Sequence, residues 1–428
     1  MTDLVLGLDV GTTAVKAAVF DADGTEVATG RAPTPWRTVP TGAEIDADEL
    51  LAAAVAAARE AVAAAAGRIV AIGVASVAET GVLLDKDGRP VVPGIAWHDE
   101  RGSEQAERLA NDLPEFSARV GLPPTLLCSL AKYKWLRENV PDSERGVRWL
   151  NVAEWIVAGL GGDPASELSL SSRTGFFDLH AKQPYADALA WADAPSGLVR
   201  EAVGAGARMG TATLPEVKGA ILTVGGHDHL SAAVGAGAAG DGDVLNSCGT
   251  AEAFVRASAP LPPDRVAQAV ASAVSVGWHA TEGRQCLLGA QWSGAWLRDV
   301  LARLGIEPED RAPIEAAALE LERAGPPVRT LRGIDDYDAL DGLAPAAAYH
   351  AALDAVGRGG AAILERMAAV AGPAKRLVAT GGWAAGPAAR AVKERHLGSF
   401  ELSPALATGA ARGAALAAGR AAALQEVM

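Results

Sequence analysis

The sequence predicts an α/β protein of two lobes, and three observations support this prediction. The chain has 428 residues, more than one ordinary core holds at roughly 100–200 residues per domain. Strand-like and helix-like apolar patterns both run along it. A strand, a tight turn and a second strand occur twice, so that Gly11-Thr12 recurs as Gly249-Thr250. Each lobe is therefore expected to contain the same hairpin of a strand, a Gly-Thr turn and a second strand.

Composition excludes several classes of protein. The formal net charge is −14, so the clustered cations that bind a nucleic-acid backbone are not expected. The longest stretch without Asp, Glu, Lys or Arg is the sixteen residues 266–281, shorter than the roughly 20 that a membrane helix needs. The first apolar run breaks at Asp9 without a basic segment before it, so no secretory signal is visible. We expect a soluble, cytoplasmic protein with no nucleic-acid or membrane partner.

The cysteines indicate reduced thiols. Cys128, Cys248 and Cys286 form an odd set with no Cys-x-x-Cys spacing, which argues against a disulfide framework or a structural zinc site. Cys248 lies next to the second Gly-Thr turn and shows no paired base, so a packing role is expected for it.

The first lobe opens with three predicted antiparallel strands. Residues 4–8 are apolar on both faces until the strand reaches Asp9, which is typical of a central strand. Turns at 11–13 and 21–24 connect it to strands at 15–20 and 25–30.

The rest of the first lobe mixes helices, strands and loops. A helix is predicted from about Asp46 to Ala66, then a buried strand at 69–76. The middle, from about 100 to 160, is predicted to be helical, and loops dominate 164–215. The domain boundary is expected near 217–219, giving domains 1–218 and 219–428.

The second lobe repeats the strand, Gly-Thr turn and strand within residues 244–256. Helices are predicted near 291–304 and 313–324, and a polar tract at 326–345 interrupts the pattern. A long helix at about 346–371, a strand at 377–380 and helices from 387 and about 408 complete the chain.

The opening hairpin has the chemistry of a phosphate-binding turn. Gly11 lets the backbone approach a polyphosphate, Thr12 and Thr13 can donate to its oxygens, and Asp9 can hold the waters of a magnesium ion. A dinucleotide fingerprint needs a helix after its glycines, and no Gly-Lys dipeptide is present for a P-loop. The alternative is an ordinary hairpin with Asp9 in a turn.

Across most of its length the chain resembles the FGGY carbohydrate kinases of the actin-like ATPase superfamily. The resemblance rests on the order and spacing of motifs at 6–16, 97–101, 131–136, 225–229, 249–250, 380–382 and 409–415. It implies two actin-like (ribonuclease H-like) domains, each a mixed sheet flanked by helices, with an inter-domain cleft. The N-terminal domain, 1–218, would bind the sugar, and the C-terminal domain, 219–428, the nucleotide. ATP and Mg²⁺ are the implied cofactors.

The resemblance makes Asp228 the catalytic base. Phosphoryl transfer to an alcohol needs an acceptor for the hydroxyl proton, held in line with the phosphorus. The alternative is that Asp228 caps a helix. The resemblance also assigns nucleotide contacts to Asp9, Gly11, Thr12, Thr13, Lys16, Gly249, Thr250, Gly381 and Gly382. A plain turn before a helix is the alternative for the last two.

Substrate contacts are expected from carboxylates, an arginine and an aromatic face. The candidates are Glu79, Trp97, His98, Asp99, Arg101 and His227. A salt bridge or a core tryptophan is the alternative for the group at 97–101. A zinc site at His227 and His229 is disfavoured, because the sequence shows no third ligand.

Two departures from the family pattern bear on substrate and architecture. Xylulose kinases carry Gln-Met-His-Gly and glycerol kinases Gln-Arg-Glu-Thr where this chain has Val77-Ala78-Glu79-Thr80, which leaves the sugar open. The tract 326–345 is shorter than the family's usual segment there.

The resemblance thus implies ATP-dependent phosphorylation of a hydroxyl of a small neutral sugar or polyol, with a ketose such as a pentulose favoured. A homodimer is a further expectation. The alternatives are a low-turnover regulator that responds to sugar or nucleotide, and an actin-like ATPase that acts on a protein partner.

Overall fold

The computed structural model of the chain describes residues 2–307, 310–403 and 408–423. Strands and helices are mixed along the chain. The strands are β1 (Asp3–Val10), β2 (Ala14–Phe20), β3 (Glu26–Pro33), β4 (Trp36–Val39), β5 (Gly42–Ile45), β6 (Arg68–Ser76), β7 (Gly81–Leu84), β8 (Gly94–Ile95), β9 (Arg148–Asn151), β10 (Ser166–Glu167), β11 (Phe177–Asp178), β12 (Gln183–Pro184), β13 (Ala202–Val203), β14 (Ile221–His227), β15 (Asp243–Cys248), β16 (Glu252–Ser258), β17 (Ser275–Trp278), β18 (Gln285–Gln291), β19 (Arg376–Thr380) and β20 (Glu401–Leu402).

The helices differ widely in length, and the longest has 27 residues. They are α1 (Ala47–Ala64), α2 (Ser103–Asp112), α3 (Phe116–Val120), α4 (Ser129–Asn139), α5 (Val152–Gly159), α6 (Leu168–Ser171), α7 (Ala186–Trp191), α8 (Asp228–Gly235), α9 (Pro263–Ala271), α10 (Ser293–Arg303), α11 (Arg311–Ala324), α12 (Pro345–Ala371), α13 (Pro387–Leu397) and α14 (Gly409–Ala423). No helix in the described part of the chain combines the length and apolar character needed to span a membrane.

The chain divides into two compact units. The first takes the described residues of 1–237, 259–286 and 408–428, and the second those of 238–258 and 287–407. The predicted boundary at 218/219 stays a prediction about domains. The boundaries of the compact units differ from 218/219, because β14 pairs in parallel with β6. This pairing places residues 221–227 in the sheet of the first unit.

A five-stranded sheet with the order β14-β6-β1-β2-β3 forms the centre of the first unit. The three opening strands are antiparallel, as predicted from their turns. β6 lies parallel to both β1 and β14. Leu6 and Leu8 are completely buried, in agreement with a central position for β1.

Helices cover both faces of this sheet. On one face α1 and α5 share a core with the leucines of β1. The helix α1 begins where predicted, because the Asp46 carboxylate accepts hydrogen bonds from the backbone N–H groups of Asp48 and Glu49. On the other face, Ala411 and Ala415 of α14 pack against Ala18 and Phe20 of β2.

A second core in the first unit lies among residues 83–199. Tyr133, Trp149 and Phe176 meet edge to face at its centre, with ring centroids 5.6–6.3 Å apart. Within the tract at about 100–160 that is predicted to be helical, residues 148–151 instead form β9, which pairs antiparallel with β7. Pairing with a distant strand overrides local helical preference at these four residues.

Strands of the second unit lie in one sheet in the order β18-β16-β15-β19-β20. β15 and β16 form the predicted hairpin around Gly249-Thr250, and β19 pairs in parallel with β15. The helices α10, α12 and α13 share a core that includes Trp296, Tyr349 and Val392. The mixed α/β class predicted from the sequence is thus present in each unit.

Candidate active site

Two carboxylates, Asp9 and Asp228, lie at the same edge of the first unit's sheet. Across the three parallel strands, Asp9 of β1 is level with Ala75 of β6, and Ala75 is level with Gly226 of β14. Asp228 follows two residues after Gly226, at the end of β14. The parallel pairing therefore brings the predicted magnesium-binding and base residues to one place.

Asp9 is buried, and its Oδ1 atom has no hydrogen-bond partner among the described residues. Burial, which is the largest effect, and the nearby charge of Asp228 raise the pKa of Asp9 against the lowering effect of Lys16, and the net result is a pKa of about 6. The Lys16 Nζ atom lies 3.4 Å from Oδ2. An open carboxylate oxygen in a buried position fits a hydrated magnesium ion, which favours oxygen ligands.

Asp228 is the first residue of α8 and is not its N-cap, since His227 occupies that position. Its Oδ1 atom accepts a hydrogen bond of 2.6 Å from the His229 backbone N–H and lies 3.1 Å from His227 Nε2. Burial raises the pKa of Asp228, but the two histidines lower it more, to about 2. The interpretation as a simple helix cap does not describe this carboxylate, which stays ionised at neutral pH.

His227, Asp228 and His229 each offer a ligand atom within 4.8 Å of the others. The expectation that the two histidines lack a third ligand is therefore wrong, because the Asp228 carboxylate is a possible third ligand beside them. Two imidazoles favour a transition metal over magnesium. Burial lowers the pKa of His229, which keeps that ring neutral.

Glu79 forms a buried ion pair with Arg173. The Arg173 Nε atom lies 2.7 Å and its second terminal nitrogen 2.6 Å from the same oxygen, Glu79 Oε1. The other terminal nitrogen donates to Ser275 Oγ at 2.7 Å. Both charges act on the pKa of His229, in opposite directions, so the pair lies close to the residues around Asp228.

Glu79 has a left-handed backbone, with φ of 59°. A residue with a side chain adopts this conformation at a cost in energy, and such strain is concentrated at functional sites. The substrate contact that the resemblance implies for Glu79 stays a prediction.

Lys132 and Arg173 are buried cations near the site that the sequence motifs do not indicate. Lys132 is buried in α4, and its ammonium donates to the backbone carbonyls of Trp97, at 2.9 Å, and Leu126. Burial lowers the pKa of Lys132 to about 8, against the opposing effect of Glu79. The sequence contains one signal for Lys132, which is a lysine on an otherwise apolar helix face. A cation buried at such a position requires hydrogen-bond acceptors.

Trp97 connects the predicted substrate loop to the predicted phosphate hairpin. Its indole Nε1–H donates to Thr12 Oγ1 at 3.2 Å, and the Trp36 indole donates to the Thr12 backbone carbonyl at 2.7 Å. The Trp97 ring meets His98 edge to face at a centroid distance of 5.1 Å. The sequence motifs around residues 12 and 97 are thus neighbours in the first unit.

Asp99 and Arg101 bind each other. Asp99 is completely buried and accepts from the Arg101 side chain, the Arg101 backbone and the Ala43 backbone, each at 2.9 Å. Arg101 also donates to Glu44 at 3.0 Å. Burial raises the pKa of Asp99, but these donors bring it below its ordinary value. The geometry supports the salt-bridge alternative for both residues.

In the second unit the Gly249-Thr250 turn and the Gly381-Gly382 segment are adjacent. β15 and β19 are parallel, with Ser247 level with Thr380. A Cβ atom at Gly381, whose φ is 98°, would come within 2.3 Å of the Cys248 backbone oxygen. Glycine is therefore required there, and the two predicted nucleotide segments lie at one sheet edge.

Cys248 is a packing residue by its environment. Burial raises the pKa of its thiol to about 12, and its Sγ atom lies 3.1 Å from Asn246 Oδ1. A neutral, buried thiol is a poor nucleophile.

Comparison with known proteins gives relatives in one group of enzymes. A glycerol kinase from Bordetella parapertussis is 32% identical over 346 residues, which cover 74% of this chain and 66% of that protein. A xylulose kinase from Streptomyces coelicolor is 30% identical over 252 residues, which cover 55% of this chain and 50% of that protein. The chain thus spans slightly less than two thirds of the length of the first of these relatives.

Solved structures confirm the fold. The xylulose kinase from Rhodospirillum rubrum matches with a TM-score of 0.85 at 23% identity, over 99% of this chain and 90% of that one. The Plasmodium falciparum glycerol kinase with ADP matches with a TM-score of 0.85 at 16% identity, over 99% and 90%. Residues 4–235 match the family model for the FGGY family of carbohydrate kinases, N-terminal domain. The chain belongs to the FGGY family of carbohydrate kinases.

Proposed function

We propose that the chain is an ATP-dependent kinase that phosphorylates a hydroxyl of a small neutral sugar or polyol, with a pentulose favoured. The observation that carries the proposal is the pair of carboxylates at one sheet edge, Asp9 with a pKa raised to about 6 and Asp228 with a pKa lowered to about 2. The two environments suit a magnesium-holding residue and a permanently ionised base. The relatives named as glycerol and xylulose kinases support the same class of reaction.

Asp228 would accept the proton of the attacking hydroxyl. A carboxylate with a pKa near 2 is a weak base, but phosphoryl transfer has a loose transition state in which the nucleophile needs little activation. The His227 and His229 contacts fix the orientation of the carboxylate. Its main contribution is then to orient the hydroxyl and to take the proton as the new bond to phosphorus forms.

Asp9 would hold the magnesium ion through its water shell, and Thr12, Thr13 and Lys16 would contact phosphate oxygens. The ion, when bound with ATP, neutralises charge on the phosphoryl oxygens. In the second unit Gly249, Thr250, Gly381 and Gly382 would contact phosphate or base. A Cβ atom at Gly382 would meet nothing within 4 Å, so a ligand can approach the backbone closely there. Asp9 would be ionised for this role only above about pH 6.

Glu79, Trp97, His98 and His227 would contact the acceptor, and Arg173 would position Glu79. A carboxylate that already accepts two hydrogen bonds from arginine at one oxygen keeps its other oxygen for a substrate hydroxyl. Neutral polyols suit this arrangement because they supply donors without adding charge beside Asp228.

The direct test replaces Asp228 with asparagine. Asp228→Asn keeps the size of the side chain and removes the proton acceptor, so we expect ATP binding to persist and turnover to fall by about 10²–10⁴-fold. ADP release is measured by a coupled assay over pentuloses, pentoses, hexuloses, tetritols and glycerol. Asp187→Asn, an exposed change on α7, is the matched control.

Two results would contradict the proposal. Near-normal turnover in Asp228→Asn removes the proposed base. ATP hydrolysis by the unchanged protein that is indifferent to every sugar and polyol in the panel removes the proposed acceptor class.

A further inference from the structure

The first unit contains a cavity of about 510 Å³ that has no part in the reaction described above. Its walls come from the start of α6, the loop 202–207, the turn 278–283 and two cationic residues, Lys182 and Arg420. A volume of this size holds a small metabolite.

The cavity collects positive charge in a strongly acidic protein. Neither Lys182 nor Arg420 has a carboxylate within 4 Å among residues 2–307, 310–403 and 408–423, and Glu282 is the single acid in the lining. The Lys182 ammonium lies 3.9 Å from the centre of the Trp278 ring. Burial lowers the pKa of Arg420, with no compensating anion. Two cations against a single acid in one lining favour an anionic ligand.

His279, which also lines the cavity, supplies an unused hydrogen-bond donor. The side chain is 4% exposed, and its Nδ1 atom accepts from the Thr281 backbone N–H at 3.0 Å. The proton of the neutral ring is therefore on Nε2, and this buried atom has no partner within the described part of the chain. Burial lowers the pKa of His279 to about 4, so the ring is neutral at physiological pH. A buried donor without an acceptor is costly unless a ligand supplies one.

We propose that this cavity binds a small organic anion, with a phosphate or carboxylate group between Lys182 and Arg420 and an acceptor for the His279 Nε2–H. A phosphate ester and a carboxylate share this chemistry, and the experiment separates them. The anion would occupy a place distinct from the carboxyl edge that carries Asp9 and Asp228.

The cavity wall touches the segment that holds Asp228. Leu168 lines the cavity, and the next residue, Ser169, accepts through Oγ from the His227 backbone N–H at 3.1 Å. Ala280, another lining residue, lies 3.2 Å from the position that a Cβ atom would take at Gly226. An anion in the cavity would therefore lie against Ala280 and against Leu168, the neighbour of Ser169. Because Ala280 and Ser169 lie beside the strand end that leads to Asp228, binding of the anion should alter the affinity for the carbohydrate.

Calorimetric titration of the whole protein tests the site without any turnover, so the result is independent of the proposed kinase activity. The probes are phosphoenolpyruvate for the phosphate class and citrate for the carboxylate class, at constant ionic strength. We expect one of them to bind, and the dissociation constant to rise at least tenfold in the double variant Lys182→Gln/Arg420→Gln. Lys86→Gln removes one exposed charge in the same unit and should bind like the unchanged protein.

A second variant keeps the cations and fills the space. A Cβ atom at Gly204 would meet no atom within 4 Å, so Gly204→Leu should fold and reduce binding by occupying the cavity. The proposal is overturned if neither probe binds at millimolar concentration, if the double variant binds as tightly as the unchanged protein, or if a non-hydrolysable ATP analogue competes with the probe. A carbohydrate KM that does not respond to a bound probe would overturn the coupling to Asp228.

Discussion

Arg173 holds Glu79 through two of its nitrogens, at 2.7 and 2.6 Å from the single oxygen Oε1. The two residues are 94 positions apart in sequence and both side chains are buried. Since Glu79 also has a left-handed backbone, the arginine and the backbone together fix one direction for the carboxylate. The strain at Glu79 is thus matched by a specific partner.

We expect this pair to be strongly coupled. Arg173→Met leaves the Glu79 carboxylate buried without a cation and should cost about 3–5 kcal/mol in the free energy of unfolding. The double variant Glu79→Gln/Arg173→Met should cost less than the sum of the two single changes. Urea unfolding of the four proteins measures the coupling, and the carbohydrate KM measures the effect on the site.

The exposed pair of Arg68 and Asp3 is the control. Its side chains are 66% and 57% exposed, so Arg68→Met should cost less than about 1 kcal/mol. Additive costs at Glu79 and Arg173 would show that the buried contact carries no interaction energy, and an unchanged KM would remove Glu79 from the substrate site.

Asp9 should destabilise the protein at neutral pH. Its pKa in the folded protein is raised to about 6, so the folded state binds a proton more tightly than the unfolded state and stability falls as pH rises from about 4 to about 6. Asp9→Asn removes the ionisation, and we expect a gain of up to about 3 kcal/mol at pH 8. The gain should shrink at pH 5, where Asp9 is largely protonated.

Thermal unfolding of Asp9→Asn and the unchanged protein at the two pH values gives the measurement. The same variant should bind Mg·ATP more weakly, so stability and nucleotide affinity change in opposite directions. If the gain in stability of Asp9→Asn over the unchanged protein is smaller at pH 8 than at pH 5, ionised Asp9 does not destabilise the folded protein.

The local parts of the site are predictable from sequence, and the distant contacts are not. Asp9 and the hairpin after it follow from period-two apolar residues and turn chemistry. The helix α1 begins directly after Asp46 because the Asp46 carboxylate caps it. The resemblance could point to Asp228 because the motif at 225–229 is short and contiguous. These features depend on neighbours in the chain.

Arg173 and Lys132 depend on tertiary contacts. The partner of Arg173 lies 94 residues away and the carbonyl of Trp97 lies 35 residues from Lys132, and no local pattern encodes such distances. The strand β9 also depends on a distant contact, because it forms by pairing with β7 between two helical segments. The packing of α14 against the first unit's sheet is likewise a tertiary contact that no local pattern predicts.

That packing of α14 requires glycine in the sheet. A Cβ atom at Gly73 of β6 would lie 1.9 Å from the Ala414 backbone oxygen, and one at Gly7 of β1 would lie 1.8 Å from the Ala411 backbone oxygen. Because backbone cannot move aside as a side chain can, Gly73→Ala should destabilise the protein by at least about 3 kcal/mol. Hydrogen exchange in α14 should accelerate with it.

Gly197→Ala is the matched control, since a Cβ atom there meets nothing within 4 Å. Urea unfolding should place it within about 0.5 kcal/mol of the unchanged protein. A mild effect of Gly73→Ala, equal to that of the control, would mean that α14 does not rest on β6 as closely as described.

Glu252 and Lys393 form a buried ion pair in the second unit, directly beside the Gly249-Thr250 turn. Glu252 is 1% exposed and also accepts from Asn246, Gln291 and Ser293 at 2.8–2.9 Å. Burial raises the pKa of Glu252, but Lys393 and the other donors lower it below its ordinary value. The pair therefore stabilises the unchanged protein above the ordinary pKa of a glutamate, and that contribution is lost as pH falls through the lowered one.

Lys393→Met should reverse this dependence. Without the cation, burial should raise the pKa of Glu252, so the variant should lose about 3–5 kcal/mol at pH 7 and recover part of it towards pH 5 as the carboxylate takes up a proton. Glu252→Gln/Lys393→Met should recover most of the loss at pH 7, because no uncompensated charge remains. Nucleotide affinity should follow stability, since Glu252 is level with Cys248 at the base of the turn. Equal losses for Lys393→Met at pH 5 and pH 7 would mean that lost packing, and not the stranded carboxylate, limits the second unit.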